Sequence, residues 1–176
     1  MEFFKVSLDE WFNINNPSLH HKPPLYEGKF LFQLTSGLLH IHAEGFVHGS
    51  IKPSNIFVIE YDGDLQIKLS SDFGIIRENQ LEKLLSSIPI WLAPELLEGL
   101  MRHISGQITA VQYTKESDTF AAGNAFFYYS SRGQNLFSKN NDRNENQRRK
   151  TAPEILTNIL NGNQVNLISK ILLCIY

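Results

Sequence analysis

The sequence is poor in cysteine, with Cys174 as the single thiol among 176 residues. One cysteine excludes a disulfide within the chain and any zinc cluster built from several thiolates. A reducing compartment suits such a chain, and we expect a cytoplasmic location. The N-terminus lacks a basic segment followed by a long apolar run, and the apolar stretch from Val165 to Tyr176 is too short to span a bilayer. We therefore expect no membrane segment.

An excess of charge of either sign is also missing. Sixteen lysines and arginines stand against eighteen aspartates and glutamates, for a formal net charge of -2. Without a strong positive balance, there is no electrostatic reason to expect nucleic acid or an anionic membrane as the main partner. Hydrophobic residues make up 42% of the chain, which is enough apolar surface for a core. We expect one folded domain over residues 1–176.

Local patterns predict two helices in the first quarter of the chain. Ser7 and Glu10 match the capping box at the start of a short helix. A longer helix is predicted from about Glu27 to His42, and Gly45 can adopt the left-handed conformation that ends it. Its apolar residues recur at the spacing of one buried helix face, at Phe30, Leu34, Leu38 and Ile41.

The middle of the chain predicts a hairpin and a core helix. Two β-rich runs are joined by Asp62-Gly63, a dipeptide that tolerates the positive φ angles of a tight turn. The segment SDTFAAGNAFFYY is apolar on nearly every side after Asp118, as is typical of a buried helix. Residues 138–150 contain no apolar side chain, which predicts a polar loop. The fold class is therefore mainly α with a small β-hairpin, in the α+β class.

Four short motifs follow one another in a set order. They are HGSIKPSN at residues 48–55, DFG at 72–74, APE at 93–95, and the buried helix that begins near Asp118. This order resembles the C-terminal lobe of a eukaryotic protein kinase, whose signatures are H-R-D-L-x-x-x-N, D-F-G and A-P-E. Lys52, with the proline that follows it, resembles the serine/threonine branch rather than the tyrosine branch of that family.

A longer stretch gives a finer resemblance. KESDTFAAGNAFFYYSSRGQNLF, followed later by NILNGN, resembles the corresponding segment of the inositol-requiring kinase-endoribonucleases that sense unfolded proteins. SLDEWF near the N-terminus agrees with that resemblance. It implies a serine/threonine kinase of the unfolded protein response, although the sensor and endoribonuclease domains of the family are not found in the 176 residues.

The kinase resemblance implies roles for the residues of the site. Asn55 and Asp72 match the two side chains that bind magnesium in the family, so ATP and Mg are the implied cofactors. Phe73 and Gly74 would lie beside that cofactor site as hinge and packing residues. Lys52 would neutralise phosphate charge or, without a catalytic Asp, remain a solvated lysine.

Ser50 departs from the family pattern at the catalytic position. The family has an Asp there, which accepts the proton of the substrate hydroxyl or orients that hydroxyl for attack. A serine hydroxyl cannot act as a base at neutral pH, so we expect a rate loss on the order of 10²–10⁴. Gly49 likewise replaces an Arg that pairs with a phosphorylated activation loop. For His48 and Asp118 the resemblance implies structural roles, Asp118 as an acceptor for backbone N–H groups of the loop.

The N-terminal lobe of a kinase supplies a glycine-rich loop, a strand lysine and a helix glutamate that hold the nucleotide phosphates. We expect this lobe to be absent, with residues 1–5 as at most a remnant of the hinge. Three interpretations follow from the resemblance. In the first, the chain is a pseudokinase or degenerate fragment that acts at most by binding a protein partner or as a kinase-like dimer. In the second, it is an incomplete piece of an ATP-dependent kinase with residual phosphotransfer. In the third, it is a purely interacting or non-functional product.

Overall fold

The computed structural model describes residues 2–12, 25–70, 91–107, 111–137 and 157–161. A 3-10 turn spans Pro53–Asn55, and residues 157–160 form one helical turn. The remaining helices and strands of this part of the chain are, in order, β1 (Glu2–Ser7), α1 (Leu8–Trp11), α2 (Glu27–Ala43), β2 (Ile56–Tyr61), β3 (Asp64–Leu69), α3 (Pro94–Ile104) and α4 (Lys115–Ser130). The combination of helices with a small antiparallel sheet is the α+β arrangement predicted from the sequence.

The sheet has three antiparallel strands in the order β1–β2–β3. The predicted hairpin is present, and its turn residues Asp62 and Gly63 have φ angles of 50° and 75°. Strand β1 was not predicted. It pairs with β2, where Val6 lies opposite Val58, so its hydrogen-bonding partner is some fifty residues away in the chain. A short run of six residues has no local signal for such a pairing.

Helix α2 lies where the apolar spacing predicts it and ends one residue later, at Ala43. Phe30, Leu34 and Leu38 are buried along its inner face. The side-chain oxygen of Gln33 accepts a hydrogen bond of 2.8 Å from the backbone N–H of Ile67, which ties the helix to the sheet. Helix α2 is followed directly by the loop that joins it to β2.

The core lies between α2, the sheet and α4. The ring of Phe30 stacks on that of Tyr129 with centroids 4.0 Å apart and an interplanar angle of 6°. The hydroxyl of Tyr129 donates to the backbone carbonyl of Leu25 within this core. The hydroxyl of Tyr128 donates to Asp9 Oδ1 at 3.1 Å, which attaches α1 to α4. Helix α4 is thus a core helix, as predicted.

Helix α4 begins three residues earlier than expected. Thr114 is its N-cap, and the hydroxyls of Thr114 and Ser117 each accept the backbone N–H of the other residue at 3.1 Å. This is a capping box with Ser at the third helical position, a variant of the usual Glu or Gln that the sequence analysis did not recognise. Asp118 lies within the first turn, not at the start. Thr119 and Gly123 are exposed, so in the described residues the helix is not buried on all sides.

Two predicted segments lie outside the described residues. They are the polar loop at 138–150 and the DFG triplet at 72–74. Within the five ranges that are described, no helix combines the length and apolar character needed to cross a bilayer.

Candidate functional site

The segment HGSIKPSN connects α2 to β2, and buried apolar side chains within it attach it to the core. Ile51 is buried in the main core, and Pro53 is buried at the start of the 3-10 turn. Lys52 lies between them with an exposed side chain, and its carbonyl accepts the backbone N–H of Asn55 at 2.9 Å. Alternate residues thus anchor the loop and leave polar groups on its surface.

The carboxylate of Asp118 holds the start of this loop. Its Oδ2 accepts the backbone N–H of His48, and its Oδ1 accepts that of Gly49, each at 2.7 Å. Asp118 is only 2% exposed, and a buried carboxylate needs such donors because it has left water. Hydrogen bonds to an ionised acceptor are also stronger than those between neutral groups. The geometry agrees with the structural role that the resemblance implies for Asp118.

Within the described residues, His42 also contacts Asp118, and the sequence analysis did not identify this contact. Its Nε2 lies 2.9 Å from Asp118 Oδ2. Because a carboxylate oxygen accepts, Nε2 of His42 is the donor. Lys115 Nζ donates to the His42 carbonyl at 2.7 Å. Seventy-six residues separate His42 from Asp118, so no local spacing could have identified the pair.

The imidazole of His48 uses both ring nitrogens within the fold. Nε2 lies 2.9 Å from the carbonyl oxygen of Ser70, and Nδ1 accepts the backbone N–H of Ser50 at 3.2 Å. Since a carbonyl accepts and an N–H donates, these two contacts together define the Nε2–H tautomer. The ring is fully buried. His48 therefore joins the loop to the end of β3, as a structural histidine does.

Ser50 and Asn55 contact each other across the loop. Asn55 Nδ2 donates to the Ser50 carbonyl at 2.9 Å and to the Ser50 hydroxyl oxygen at 2.8 Å. Because a backbone carbonyl can only accept, the amide nitrogen must face it, which leaves Oδ1 of Asn55 without a hydrogen-bond partner among the described residues and able to bind a hard cation. Asn55 therefore fits the magnesium-binding role that the resemblance implies.

Gly49 has a φ angle of +67°, in the left-handed region. In this conformation its N–H reaches the carboxylate of Asp118. A side chain is disfavoured at such an angle, whereas glycine adopts it without steric penalty. The residue that stands in place of the family's Arg thus suits the backbone conformation of the loop.

The remaining predicted site residues, Asp72, Phe73 and Gly74, lie outside the described part of the chain. Ser70, which follows β3 directly, donates its backbone N–H to the Asn55 carbonyl at 2.9 Å. The carbonyl of Ser70 accepts a hydrogen bond from His48 Nε2. Two residues before Asp72, the chain is therefore attached to the HGSIKPSN segment.

The first turn of α4 carries negative charge behind the loop. The pKa of Glu116 lies below its usual range because its carboxylate is hydrogen-bonded by its own backbone N–H and by the side chain of Thr114. The nearby His42 and Lys115 lower the same pKa more weakly. Negative side chains are stabilised at a helix N-terminus, where the partial charge is positive. The acidic side chains of this turn thus stabilise the N-terminal end of α4, where Asp118 contacts the loop.

Comparison with known proteins agrees with these features. The sequence model of the protein kinase domain family matches residues 4–172. The chain is 34% identical over 145 residues to the human serine/threonine-protein kinase/endoribonuclease IRE2, which covers 78% of this chain and 14% of the relative. It is 31% identical over 129 residues to the rat interferon-induced, double-stranded RNA-activated protein kinase, which covers 70% of this chain and 22% of the relative.

A third relative, named as a probable serine/threonine-protein kinase fhkA of Dictyostelium discoideum, is 28% identical over 92% of this chain and 29% of its own length. The chain spans less than a third of each of these relatives. Because the family model covers nearly all of the sequence, the chain belongs to the protein kinase domain family.

Proposed function

We propose that this chain is the C-terminal lobe of a serine/threonine-type kinase with a defective phosphotransfer loop, and that it acts by binding a protein partner or as a kinase-like dimer. The observation that supports the proposal is the state of Ser50. Its hydroxyl accepts a hydrogen bond from Asn55, and no carboxylate occupies the position that orients the substrate hydroxyl in the family. The loop keeps its shape and lacks the group that carries out the proton transfer.

The other predicted site residues fit the binding of Mg-ATP better than they fit the transfer of phosphate to a hydroxyl. Asn55, through Oδ1, and Asp72, by resemblance, would hold magnesium, and Lys52 would face phosphate charge. Magnesium, when bound with ATP, neutralises the charge of the phosphates. Because Ser50 cannot accept a proton at neutral pH, these residues would orient ATP held by an added N-terminal lobe without activating a hydroxyl.

A second candidate is an incomplete piece of an ATP-dependent kinase of the unfolded-protein-response type, with residual phosphotransfer. Two observations favour it. The Asp118 contacts that hold the loop are all in place, and the human kinase/endoribonuclease is 34% identical over 145 residues. A cytoplasmic location, which the single cysteine suits, belongs to both proposals.

Ser50→Asp separates the two candidates. The chain is assayed for phosphotransfer in a chimera that carries the N-terminal lobe of a related kinase, so that nucleotide has two walls. If the missing carboxylate silences the loop, Ser50→Asp raises the rate by about 10²-fold or more, and Ser50→Asn, which matches it in size without a charge, raises it little. A parent chimera that already turns over at about 1–100 per second would contradict the defective-loop proposal.

Binding of nucleotide is measured separately on the chain by itself. A ligand raises the melting temperature only in proportion to its affinity for the folded state. We expect no saturable shift with Mg-ATP at millimolar concentration, because no glycine-rich loop of the kinase pattern is recognisable in the 176 residues to clamp the phosphates. A saturable shift that disappears in Asn55→Ala would instead show that the loop alone holds the nucleotide.

A further inference from the structure

The HGSIKPSN segment carries one positive side chain and no negative one. Between His48 and Asn55 the sequence contains Lys52 and neither Asp nor Glu. Lys52 is exposed, and among the described residues its Nζ has no carboxylate within ion-pair distance. An ammonium group without a partner in the fold can bind an anion. The surface of this loop is therefore locally basic, in a chain whose net charge is -2.

The hydroxyl of Ser50, in the same segment, has a proton that the described contacts do not use. Ser50 Oγ accepts a hydrogen bond of 2.8 Å from Asn55 Nδ2, and within the described ranges no acceptor contacts the hydroxyl proton. A hydroxyl has one proton and two lone pairs, and the Asn55 amide occupies one lone pair. Ser50 is only half-buried, so a ligand on the loop surface can accept the proton.

Ser50 and Lys52 lie on the same side of the loop. The residues that alternate with them, Ile51 and Pro53, are buried. Lys52 has the φ and ψ angles of an extended residue, -160° and 160°. In extended backbone, side chains two residues apart share one face, with a rise of about 3.3 Å per residue. The flexible stem of the lysine can therefore bring Nζ to a group that the Ser50 hydroxyl also contacts.

The carboxylate of Asp118 does not compete for these two donors. It is 2% exposed, and its oxygens accept the backbone N–H groups of His48 and Gly49. A carboxylate at position 50 would repel an incoming anion, because like charges a few ångströms apart are unfavourable. Ser50 instead offers a hydrogen-bond donor where the kinase family has a negative charge. The kind of group that the loop can bind is therefore changed.

We propose that Ser50 and Lys52 bind the phosphate of a phosphorylated serine or threonine side chain, and that a protein carrying it is the partner in the function proposed above, on which this inference rests. A phosphoserine has a charge of about -1.5 to -2 at pH 7 and three acceptor oxygens. These match the ammonium group and the hydroxyl proton. In the family this loop receives the unmodified hydroxyl side chain, so the ligand is the product of the family's reaction.

Titration of the full 176-residue chain with a short, otherwise uncharged phosphoserine peptide tests the site. Two charge-assisted contacts correspond to a dissociation constant on the order of 1 mM, which phosphorus NMR of the peptide can measure. We expect a saturable change in the phosphorus signal. The same peptide without phosphate, followed by proton NMR, should show no change. If the phosphopeptide gives no saturable change either, the proposal is wrong.

Two substitutions in the site and two matched controls locate the binding. Lys52→Gln and Ser50→Ala should each weaken it by about tenfold, because each removes one contact to a charged group. Lys68→Gln, at an exposed position on β3, and Ser54→Ala, at an exposed serine of the same loop, should leave it unchanged. Thermal melts check that all four variants fold. Equal losses in Lys68→Gln and Lys52→Gln would overturn the proposal, because they would reflect attraction to the overall charge.

Ser50→Asp separates this inference from the proposed function. It should abolish binding of the phosphopeptide, because its carboxylate repels the phosphate, whereas in the chimera it should raise phosphotransfer. Unchanged peptide binding in Ser50→Asp would overturn the phosphate site and leave the defective-loop proposal to the result of the chimera. A parent chimera with the ordinary rate of a kinase would contradict the defective loop, whatever the peptide does.

Competition distinguishes the sources of the phosphate group. Inorganic phosphate should displace the peptide only when present in excess, because it lacks main-chain groups that add contacts along the exposed loop. Mg-ATP should not compete, because magnesium neutralises the charge of its terminal phosphates. Displacement by inorganic phosphate at a concentration equal to that of the peptide would assign the loop to an adventitious ion only. Displacement by Mg-ATP would assign the loop to a nucleotide, and either result would overturn the proposal.

Discussion

Asn55 Nδ2 lies 2.8 Å from the hydroxyl oxygen of Ser50 and 2.9 Å from the Ser50 carbonyl oxygen. One amide group therefore closes the loop at the position where the kinase family carries its catalytic carboxylate. The carbonyl is present whatever the side chain at position 50, so the shape of the loop does not depend on that carboxylate. The contacts that hold the loop together therefore do not require the group that would carry out proton transfer.

Ser50→Ala removes one of the two acceptors of the Asn55 amide. The carbonyl contact stays, so we expect a loss of about 0.5–1.5 kcal/mol in the free energy of unfolding, measured by urea titration. Asn55→Ala is the comparison and should cost more, because it removes the donor to both acceptors. A larger loss for Ser50→Ala than for Asn55→Ala would show that the hydroxyl has a partner beyond Asn55.

Asp118→Ala leaves the backbone N–H groups of His48 and Gly49, and Nε2 of His42, without their acceptor. Hydrogen bonds to a charged group contribute about 1.5–3 kcal/mol each, so the free energy of unfolding should fall by at least about 3 kcal/mol. Asp118→Asn should lose less, since its carbonyl oxygen still accepts. Thr119→Ala, on the exposed side of the same helix, is the control. A loss for Asp118→Ala as small as that of Thr119→Ala would contradict the role of the carboxylate.

Gly49→Ala tests the left-handed backbone of the loop. At a φ of +67° an alanine should destabilise the fold by about 1–2 kcal/mol. The matched control is Gly28→Ala in α2, where a Cβ meets nothing within 4 Å and the helix gains roughly 0.5–1 kcal/mol. The two substitutions thus have opposite signs in a thermal melt. If Gly49→Ala were neutral, the loop would have another conformation in solution.

Glu10 predicts an acid-sensitive contribution from the first capping box. Hydrogen bonds from the Ser7 backbone N–H and hydroxyl hold the pKa of Glu10 below its usual 4.5. A lowered folded pKa adds stability above about pH 4.5, and this stability is lost as pH falls through the folded value. Glu10→Gln should therefore melt lower than the parent at pH 7 and converge with it at acid pH. In a Ser7→Ala background the difference at pH 7 should shrink, and a pH-independent difference would contradict the linkage.

The elements that sequence patterns predicted are those whose determinants are local. The spacing of Phe30, Leu34 and Leu38 defines a buried helix face within three turns, and Asp62-Gly63 defines a hairpin within four residues. Strand β1 was missed because its partner β2 is some fifty residues distant. The start of α4 was misplaced for a local reason, since Thr114 and Ser117 form an unusual capping box.

The sequence by itself determined the order of the motifs, the absence of a carboxylate at Ser50, and the kinase family that this order resembles. These are properties of residue identity and spacing, which a chain carries before it folds. Only the tertiary structure decided which buried groups meet, as where α4 brings Asp118 to His42, 76 residues away, and to the backbone of His48. Such contacts follow from the packing of helices over a shared core. Many residue pairs at that separation in the chain could have met, so no local sequence pattern identifies the pairs that do.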